Sequence, residues 1–576
     1  MSVLVPPGLL LVAGAALLAV LPRAARAAVS VLLPLLVVAY SATFLPVGTT
    51  VSYPFMQFSL ELVRADRLSL LFGGIFCVTG ALAALYASHE GDVRQQVAAM
   101  LYTAGAVGVS FAGDLLTLYF FWEMLAIAGT VLVWSGGTRA ATRAGKRYVL
   151  LHLAGGGLLL AGIALHVAHT GSIRFDAFDP AAPTLAAWLI LAGFCLNAGV
   201  PPLHAWIPDA YPRATIAGSV FLAAMTTKSA VYALLRGFAG WDVLVPFGVV
   251  MALYGVFFAV LASDLRVLLS YHIISQVGYM VVGAGIGTAL AVDGSAAHAV
   301  NHLIYKGLLF MCAGAVIATT GRGSLADLGG LRSRQPLLLA LYMIGALSIS
   351  GAPLWNGFVS KGMLLKSAGD LHLNWTVLLL GLASVGTFIS VGLKLPYFVW
   401  FGRKSGVEPK PVPPPMLAAM VCAAFLCTLL GLFPGLLYRF LPYPTEYDPF
   451  TATHVIEILQ LFVFAGFAFF ILLPNLSAAR KTLADVDFFY RAPARLVRTL
   501  VVGRVDAVFG AVQAAADRVA DTLASALRDP TAWFAEGRRG GEDYDPDRAR
   551  PPLLSPLVVT IATFVGIAVA LLAWQR

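Results

Sequence analysis

Ionisable side chains interrupt stretches of this sequence that are otherwise as apolar as membrane-spanning helices. Lys228, Lys306, Lys361 and Lys394 lie within or beside such stretches, and Glu123 is embedded in LYFFWEMLAIAGTVLVW. A charge at the centre of a bilayer costs at least about 2.5–3.5 kcal/mol, so an ionisable residue inside the membrane is by default a functional-site hypothesis. Together these five residues predict a hydrated path that moves charge, and the favoured cargo is the proton.

Three ionisable groups, Lys306 among them, follow one face of a single predicted helix, in AAHAVNHLIYKGLLF. His298, His302 and Lys306 are four residues apart and therefore stack on one side of a helix. Histidine titrates near neutral pH, and a lysine removed from water can release its proton in the same range. The row predicts a proton relay. The alternative is a loop-proximal histidine pair with a snorkelling lysine, and no metal site is predicted.

Two predicted spans are broken by proline and glycine. The first break, in NAGVPPLHAWIPDAYP, involves Asn197, Pro201 and Pro202, and the second, in SGAPLWNGFVSKGMLL, involves Pro353 and precedes Lys361. Broken helices are tolerated at membrane depth where the freed backbone meets protein or a water-filled cavity. Paired breaks in two halves of a chain indicate a transporter built from internal repeats, whereas the alternative is an ordinary proline kink.

Lys228 and Lys394 follow the two breaks at similar distances, which is a second sign of duplication. Lys394 is close to the end of its span, so snorkelling to the interface is an alternative to a transport role. Glu123 lies in mid-span, where an unpaired carboxylate would be costly, and it is predicted to be functional. Three charged residues at span ends either orient helices or line an entry path: Asp114, Asp264 and Arg266.

The composition is that of a polytopic membrane protein. The chain has 576 residues, of which 59% are hydrophobic and 12% charged, against roughly 25% charged in soluble domains. Its formal charge of +9 is explained by basic loops and not by a nucleic-acid partner. The five cysteines lie singly in apolar stretches, and no nucleotide, haem or iron–sulfur motif is present. We therefore predict a transporter subunit without cofactor, metal or catalytic residues.

The fold predicted from these apolar stretches is all-α, with about sixteen transmembrane helices of about twenty residues each. The predicted spans are 3–21, 28–46, 67–88, 96–113, 114–134, 147–169, 184–201, 215–238, 243–262, 268–291, 296–319, 337–362, 376–401, 414–437, 453–474 and 552–574.

Lysine and arginine predict the orientation of these spans. They are more frequent in the connections after odd-numbered spans, which the positive-inside rule places in the cytoplasm. The N-terminus is therefore predicted to face outward from a bacterial inner membrane. The basic residues that carry this prediction include Arg23, Arg26, Arg139, Arg143, Lys146, Arg147, Arg332, Arg334, Arg403 and Lys404.

The segment 476–550 departs from this pattern because it is charged and periodic. Six apolar residues at helical spacing predict an amphipathic helix that lies along the membrane or on a partner, followed by a polar linker. These residues are Val501, Val505, Val508, Val512, Val519 and Leu523, opposite Arg504, Asp506, Asp517, Arg518 and Asp521. The predicted division is 1–95 N-terminal helices, 96–240 first repeat, 241–402 second repeat, 403–475 C-terminal core helices, 476–550 lateral helix and linker, and 551–576 final span.

Several of these stretches together resemble the proton-translocating antiporter-like family. They are FFWEM, PPLHAWIPDAYPRATIAGSVFLAAMTTKSAVYALLR, DLRVLLSYHIISQVGYM, HLIYKGLLF and GFVSKGMLL, within residues 65–400. The family includes the A-type and D-type subunits of the multisubunit Mrp-type cation/proton antiporters and the large membrane subunits of respiratory complex I. The resemblance implies about fourteen core helices, two inverted five-helix repeats and a central axis of lysines, histidines and one glutamate.

The resemblance also implies roles for particular residues. Glu123 is similar to the family's helix-5 glutamate and Lys228 to its helix-8 lysine. His302 and Lys306 are similar to its helix-11 pair, and Lys361 to the ionisable residue at its helix-12 break.

The family usually has a lysine on broken helix 7, paired with the glutamate, where this chain has Asn197. An asparagine cannot exchange a proton, so Lys228 is the alternative partner of Glu123 and the first half-channel is expected to be rewired or weakened. The tail differs from that of a simple D-type antiporter protein and is similar to the longest antiporter-like subunit of complex I. Such a helix would clamp neighbouring subunits.

The leading hypothesis is a proton-translocating subunit of a multisubunit Na+/H+ antiporter that works with other membrane subunits. The second is a proton-pumping membrane subunit of a complex I-like or hydrogenase-like redox complex. A third is the proton-driven partner of an inorganic-carbon uptake complex, and a fourth is a scaffold that no longer transports.

Overall fold

The computed structural model describes residues 4–403, 405–474, 485–489 and 497–528, together with the single positions 493, 558, 560 and 563. Within these residues, eleven helices are long and apolar enough to cross a membrane, and three shorter apolar helices accompany them. A helix is present in every predicted span except 552–574, which lies outside the described residues apart from three positions. The predicted all-α polytopic fold is confirmed.

The helices are numbered in chain order. They are α1 Pro7–Val20, α2 Arg23–Phe44, α3 Arg67–Ala87, α4 Val93–Phe111, α5 Leu115–Trp134, α6 Arg139–Thr170, α7 Leu185–Ala198, α8 Trp206–Ala210, α9 Ile216–Ala224, α10 Thr226–Gly237, α11 Leu244–Leu261, α12 Leu265–Ile286, α13 Ala289–Thr320, α14 Pro336–Ser350, α15 Asn356–Asp370, α16 Asn374–Thr387, α17 Pro414–Leu432, α18 Gly435–Tyr438, α19 Ala452–Leu472 and α20 Gly503–Arg528. After α16 the chain continues as π-helix over Phe388–Lys394 and Tyr397–Phe401.

The charged residues at span ends orient helices. Asp114 and Asp264 cap α5 and α12, and each side chain accepts a hydrogen bond from a backbone N–H of the first turn. Such caps satisfy N–H groups that have no partner within the helix. Arg266 donates to the carbonyl of Ala214 at 2.9 Å and to the hydroxyl of Ser219 at 3.0 Å, so it ties α12 to α9.

Two copies of a five-span unit follow one another in the chain. Helix α6 and helix α13 both have 32 residues, and α13 begins and ends 150 residues after α6. The bridge between Asp114 and Arg174 recurs between Asp264 and Ser324 at the same spacing. Because five crossings reverse the direction of the chain, the second copy is inverted relative to the first. The domain boundaries 96–240 and 241–402 stay predictions.

A short β-hairpin is the feature of this region that the sequence did not predict. Strands β1 Thr50–Phe55 and β2 Phe58–Arg64 pair in antiparallel fashion between α2 and α3. The backbone N–H of Glu61 in β2 donates to the Asp114 carboxylate at 2.7 Å, and the N–H of Gly113 donates to the Glu61 carbonyl at 2.9 Å. The hairpin thereby fixes the connection between α4 and α5.

Helix α13 lies at the centre of the bundle. It packs against α3, α9, α12, α14, α15 and α17, and nearly every residue from Ala291 to Val316 is buried. Helices at the edge bury much less, as in α19, where only Ala465 and Phe469 are buried. The relay row predicted on α13 therefore lies in the best-shielded part of the chain.

Helix α20 belongs to a separate compact unit that begins at Phe488. Its 26 residues place apolar side chains on one face of the helix and charged side chains on the opposite face. The predicted amphipathic helix is therefore present, while the linker and final span fall almost entirely outside the described residues.

Candidate functional site

The first helix break follows α7. Gly199 adopts a left-handed conformation with φ of 79°, which a glycine accommodates without a steric penalty. Pro201 and Pro202 follow and prevent the helix from continuing. The N–H groups of Gly199 and Val200 close the last turn onto the carbonyls of Leu196 and Cys195. The indole N–H of Trp206 also donates to the carbonyl of Leu196, at 3.2 Å.

The second break, after α14, ends its helix with the same left-handed glycine and has a different side-chain donor. Gly351 has φ of 80°, and Pro353 follows it. The Nζ of Lys361 donates to the carbonyl of Ile349 at 2.7 Å. The same amine lies 5.0 Å from the centre of the Tyr279 ring, a cation–π distance. The second break therefore holds a buried amine where the first holds an indole.

The row on α13 connects to this second break. His298 Nδ1 lies 2.9 Å from the hydroxyl of Ser360, the residue before Lys361. Its Nε2 lies 3.4 Å from the Tyr305 hydroxyl, and its ring centre lies 6.3 Å from that of His302. Hydrogen-bonding groups thus continue from α15 into α13.

His302 and Lys306 are buried, and the residues that the structure describes offer their nitrogens no hydrogen-bond partner. Neither ring nitrogen of His302 nor the Nζ of Lys306 has a hydrogen bond to any residue that the structure describes. Lys306 Nζ instead lies 5.8 Å from the centre of the Phe310 ring. Buried polar groups in proteins are normally bonded, and Asn197 and Nε2 of His152 share this unbonded state within the described residues.

Lys228 brings the first repeat to this row. It is fully buried at the start of α10, where its Nζ donates to the carbonyl of Ala223 at 2.8 Å and to the Thr227 hydroxyl at 3.1 Å. It is close enough to His302 and Lys306 for direct electrostatic interaction. Lysines and histidines of both repeats therefore form one buried cluster.

His272 joins this cluster, although it is not among the residues predicted from the sequence. Its Nε2 lies 2.7 Å from the Ser390 hydroxyl, and it is within electrostatic range of Lys306 and Lys361. The polar face of α12, with His272, Gln276 and Tyr279 at helical spacing, is the signal that could have identified it.

Lys394 caps a helix. Its Nζ donates to the carbonyls of Val260 and Ala262 at 2.6 Å and 2.8 Å, at the C-terminal end of α11. A cation at this end of a helix is stabilised by the unpaired carbonyls and the helix dipole. This geometry favours a structural role for Lys394, and its predicted role in transport gains no support from it.

Glu123 lies apart from the cluster. Its Oε1 packs against Gly156 of α6 and accepts no hydrogen bond from a described residue. The two hydrogen bonds of Lys228 go to Ala223 and Thr227, so the alternative pairing of Glu123 with Lys228 is not formed. Asn197 is buried, and neither of its amide atoms has a partner among the described residues.

Asp485 is a second residue that the sequence did not reveal. Its carboxylate accepts hydrogen bonds from the hydroxyls of Tyr254 and Tyr271, the latter at 2.7 Å, and lies 3.2 Å from Nε2 of His204. Burial alone would raise the pKa of this carboxyl, but these hydrogen bonds lower it to about 2. Asp485 therefore anchors the chain after α19 to the first helix break, a contact between distant segments that no local pattern encodes.

Residues 112–390 match the family described as "NADH:quinone oxidoreductase/Mrp antiporter, TM". An uncharacterized protein of Methanocaldococcus jannaschii, MJ1309, is 32% identical over 364 residues, which are 59% of this chain and 74% of that protein. The D-type subunit of the Na(+)/H(+) antiporter of Alkalihalophilus pseudofirmus is 33% identical over 325 residues, which are 53% of this chain and 65% of that protein.

Solved structures share the fold. A chain of the Mrp complex from Dietzia sp. aligns with a TM-score of 0.68 at 21% identity, and the alignment covers 79% of this chain and 99% of that one. A chain of respiratory complex I from Thermus thermophilus aligns with a TM-score of 0.67 at 26% identity over the same shares. The helix order, the two broken helices and these matches agree, and the chain belongs to the NADH:quinone oxidoreductase/Mrp antiporter family of polytopic membrane subunits.

Proposed function

We propose that this chain is the proton-translocating subunit of a multisubunit monovalent cation (Na+)/H+ antiporter. The observation that carries the proposal is the buried cluster that joins the two repeats. It runs from Lys228 through His302 and Lys306 to His298 and Lys361. In this proposal the chain lies in a bacterial inner membrane with its N-terminus outward.

Like charges this close together in a poorly screened interior interact strongly. Protonation of Lys306 therefore disfavours protonation of Lys228, and the charge on one site biases the next. Because Lys306 and His302 are bonded to no described acceptor, a change of their charge breaks no structural hydrogen bond. A proton can then move by steps through the row while the helices stay in place.

The antiporter assignment takes its support from the Alkalihalophilus relative, which belongs to a Na(+)/H(+) antiporter. In this proposal protons move through this chain, and other membrane subunits of the assembly carry out the rest of the exchange. Helix α20 provides an apolar face with which such a subunit could be held.

The test is proton flux in liposomes that contain the whole purified complex. A Na+ gradient should drive proton movement, read by an internal pH dye, and Lys306→Met should abolish it. The matched control is Lys366→Met, which changes an exposed lysine on α15 that pairs with Asp370 at 3.0 Å. Normal flux from a fully assembled Lys306→Met complex would contradict the proposal and favour a scaffold.

The second candidate is a proton-pumping membrane subunit of a complex I-like or hydrogenase-like redox complex. The likeness to the Thermus complex I chain, at 26% identity over 99% of that chain, favours it. Mass spectrometry of the purified complex separates the two candidates. Flavin or iron–sulfur subunits, with proton movement driven by electron transfer and not by Na+, would establish the redox candidate.

A further inference from the structure

Glu123 lies near the middle of α5, on a surface of the described chain that faces away from the helix bundle. It is the ninth residue of the twenty in α5, and its neighbours on the same face, Phe120 and Ile127, are 63% and 57% exposed. On α6, Gly157 also faces open space. The central carboxylate of this span is therefore at the edge of the bundle and not on the buried axis.

A groove runs along this face. Its larger part has a volume of about 700 Å³ and is lined by α1, α4 and α5, including Leu101, Glu123 and Val131. A second hollow of about 290 Å³ continues it towards the β-hairpin and shares Phe120 and Met124 with the first. From Thr117 to Val131 the two extend about 21 Å along α5, which is the length of four helical turns. We call this surface the Glu123 groove.

The groove is apolar except for one carboxylate at its centre and Thr117 and Arg94 towards its ends. Glu123 Oε1 is buried and accepts no hydrogen bond from the residues that the structure describes. A Cβ at position 156 would collide with this oxygen, so Gly156 leaves the carboxylate its space. Hydrocarbon chains of lipid cannot donate a hydrogen bond to it, whereas a basic side chain can.

We propose that the Glu123 groove binds a transmembrane helix of a partner subunit, and that this helix places a lysine or arginine against Glu123. The charge of the carboxylate selects the partner residue, since a charge within the membrane is normally paired. Apolar side chains on both sides of Glu123 supply the packing surface. The proposal depends on the assembly of the complex and not on the transported ion.

The test places a photo-crosslinking amino acid at Ile127 in the full chain within its native complex. We expect an adduct with one partner subunit, mapped by mass spectrometry to a transmembrane helix that contains Lys or Arg within one turn of the contact. The matched control is the same amino acid at Leu382 of α16, an apolar residue of similar exposure (58%) on another face. Leu382 should not give this adduct.

Charge reversal supplies the second readout. Glu123→Lys should lower the Ile127 adduct by about tenfold, equivalent to about 1.4 kcal/mol, and exchange of the partner's basic residue for glutamate should restore it. Glu123→Gln is nearly isosteric and should lower the Ile127 adduct by an intermediate amount. It serves as the control for a loss of adduct caused by misfolding. Adducts with lipid only, with a second copy of this chain or with a helix lacking Lys and Arg would overturn the proposal. So would an adduct unchanged by Glu123→Lys. None of these readouts uses ion flux, so failure here is distinct from failure of the antiporter assignment.

Discussion

The two repeats share a backbone and differ in the chemistry of their central helices. Helices α6 and α13 start after a threonine cap and end before a left-handed glycine, 150 residues apart. His152 and His302 occupy equivalent positions, but Gly156 stands where α13 has Lys306. Glu123 occupies the space beside Gly156. The comparison indicates that the duplicated scaffold was kept while the buried amines became concentrated in the second repeat.

The helix breaks differ in the same way. At the first break the Trp206 indole donates to the Leu196 carbonyl, which also accepts from the Gly199 N–H, and at the second break the Lys361 amine donates to the Ile349 carbonyl. Only the amine can also carry a proton. The side chain that donates at the first break thus cannot titrate, whereas the one that donates at the second break can.

The largest expected effect separates these two donors. Lys361→Met should lower Na+-driven proton flux by at least about 100-fold, equivalent to about 2.7 kcal/mol of barrier, because it removes a proton-carrying group. Trp206→Phe, the matched change at the first break, should keep flux within threefold and cost about 1 kcal/mol of stability. Equal loss of flux in both variants would show that the two breaks do not differ in their contribution to transport.

The next effect compares the equivalent histidines. His302→Asn should reduce flux by about tenfold, equivalent to about 1.4 kcal/mol of barrier, because His302 interacts electrostatically with both Lys228 and His298. His152 instead contacts the Tyr148 carbonyl at 2.9 Å, stacks on the Tyr148 ring and meets the Trp206 ring edge to face. His152→Asn should therefore leave flux nearly unchanged at equal protein level. Similar flux from the two variants would show that the first repeat carries an equal share of the transport.

A smaller effect, on stability, is expected at Lys394. Lys394→Met removes the donor to two carbonyls at the end of α11, which should cost about 1–3 kcal/mol. Thermal denaturation of the purified complex measures this loss, and the flux per folded complex should stay near that of the wild type. A stable Lys394→Met complex without flux would show that Lys394 takes part in proton transport.

The smallest effect is expected at Asn197. Because its amide atoms contact no described partner, Asn197→Ala should change both flux and melting temperature little. Asn301→Ala is the matched change in the second repeat, where the Asn301 amide donates to the Asn356 carbonyl at 2.8 Å. That variant should lose about 1 kcal/mol of stability. A strong loss of flux in Asn197→Ala would show that the first break takes part in transport.

Much of the fold was predictable because helices in a membrane follow from local composition. Spans of about twenty apolar residues identified the helices, and proline with glycine identified both breaks. The hairpin at 50–64 was missed because it is a short structure held by Glu61 and Asp114, which come from different segments. Cys422 is exposed, whereas Cys77, Cys312 and Cys427 are buried as expected for apolar core residues.

The sequence alone determined which residues can carry a proton and that His298, His302 and Lys306 share one helical face, because helix periodicity is a local property. Tertiary structure decided which of them meet. It brought Lys228 of the first repeat within electrostatic range of Lys306 of the second, brought His272 and Asp485 to their partners, turned Lys394 into a helix cap and left Glu123 at the edge of the bundle. These outcomes depend on how helices distant in sequence pack, and hydropathy and spacing along one helix carry no information about that.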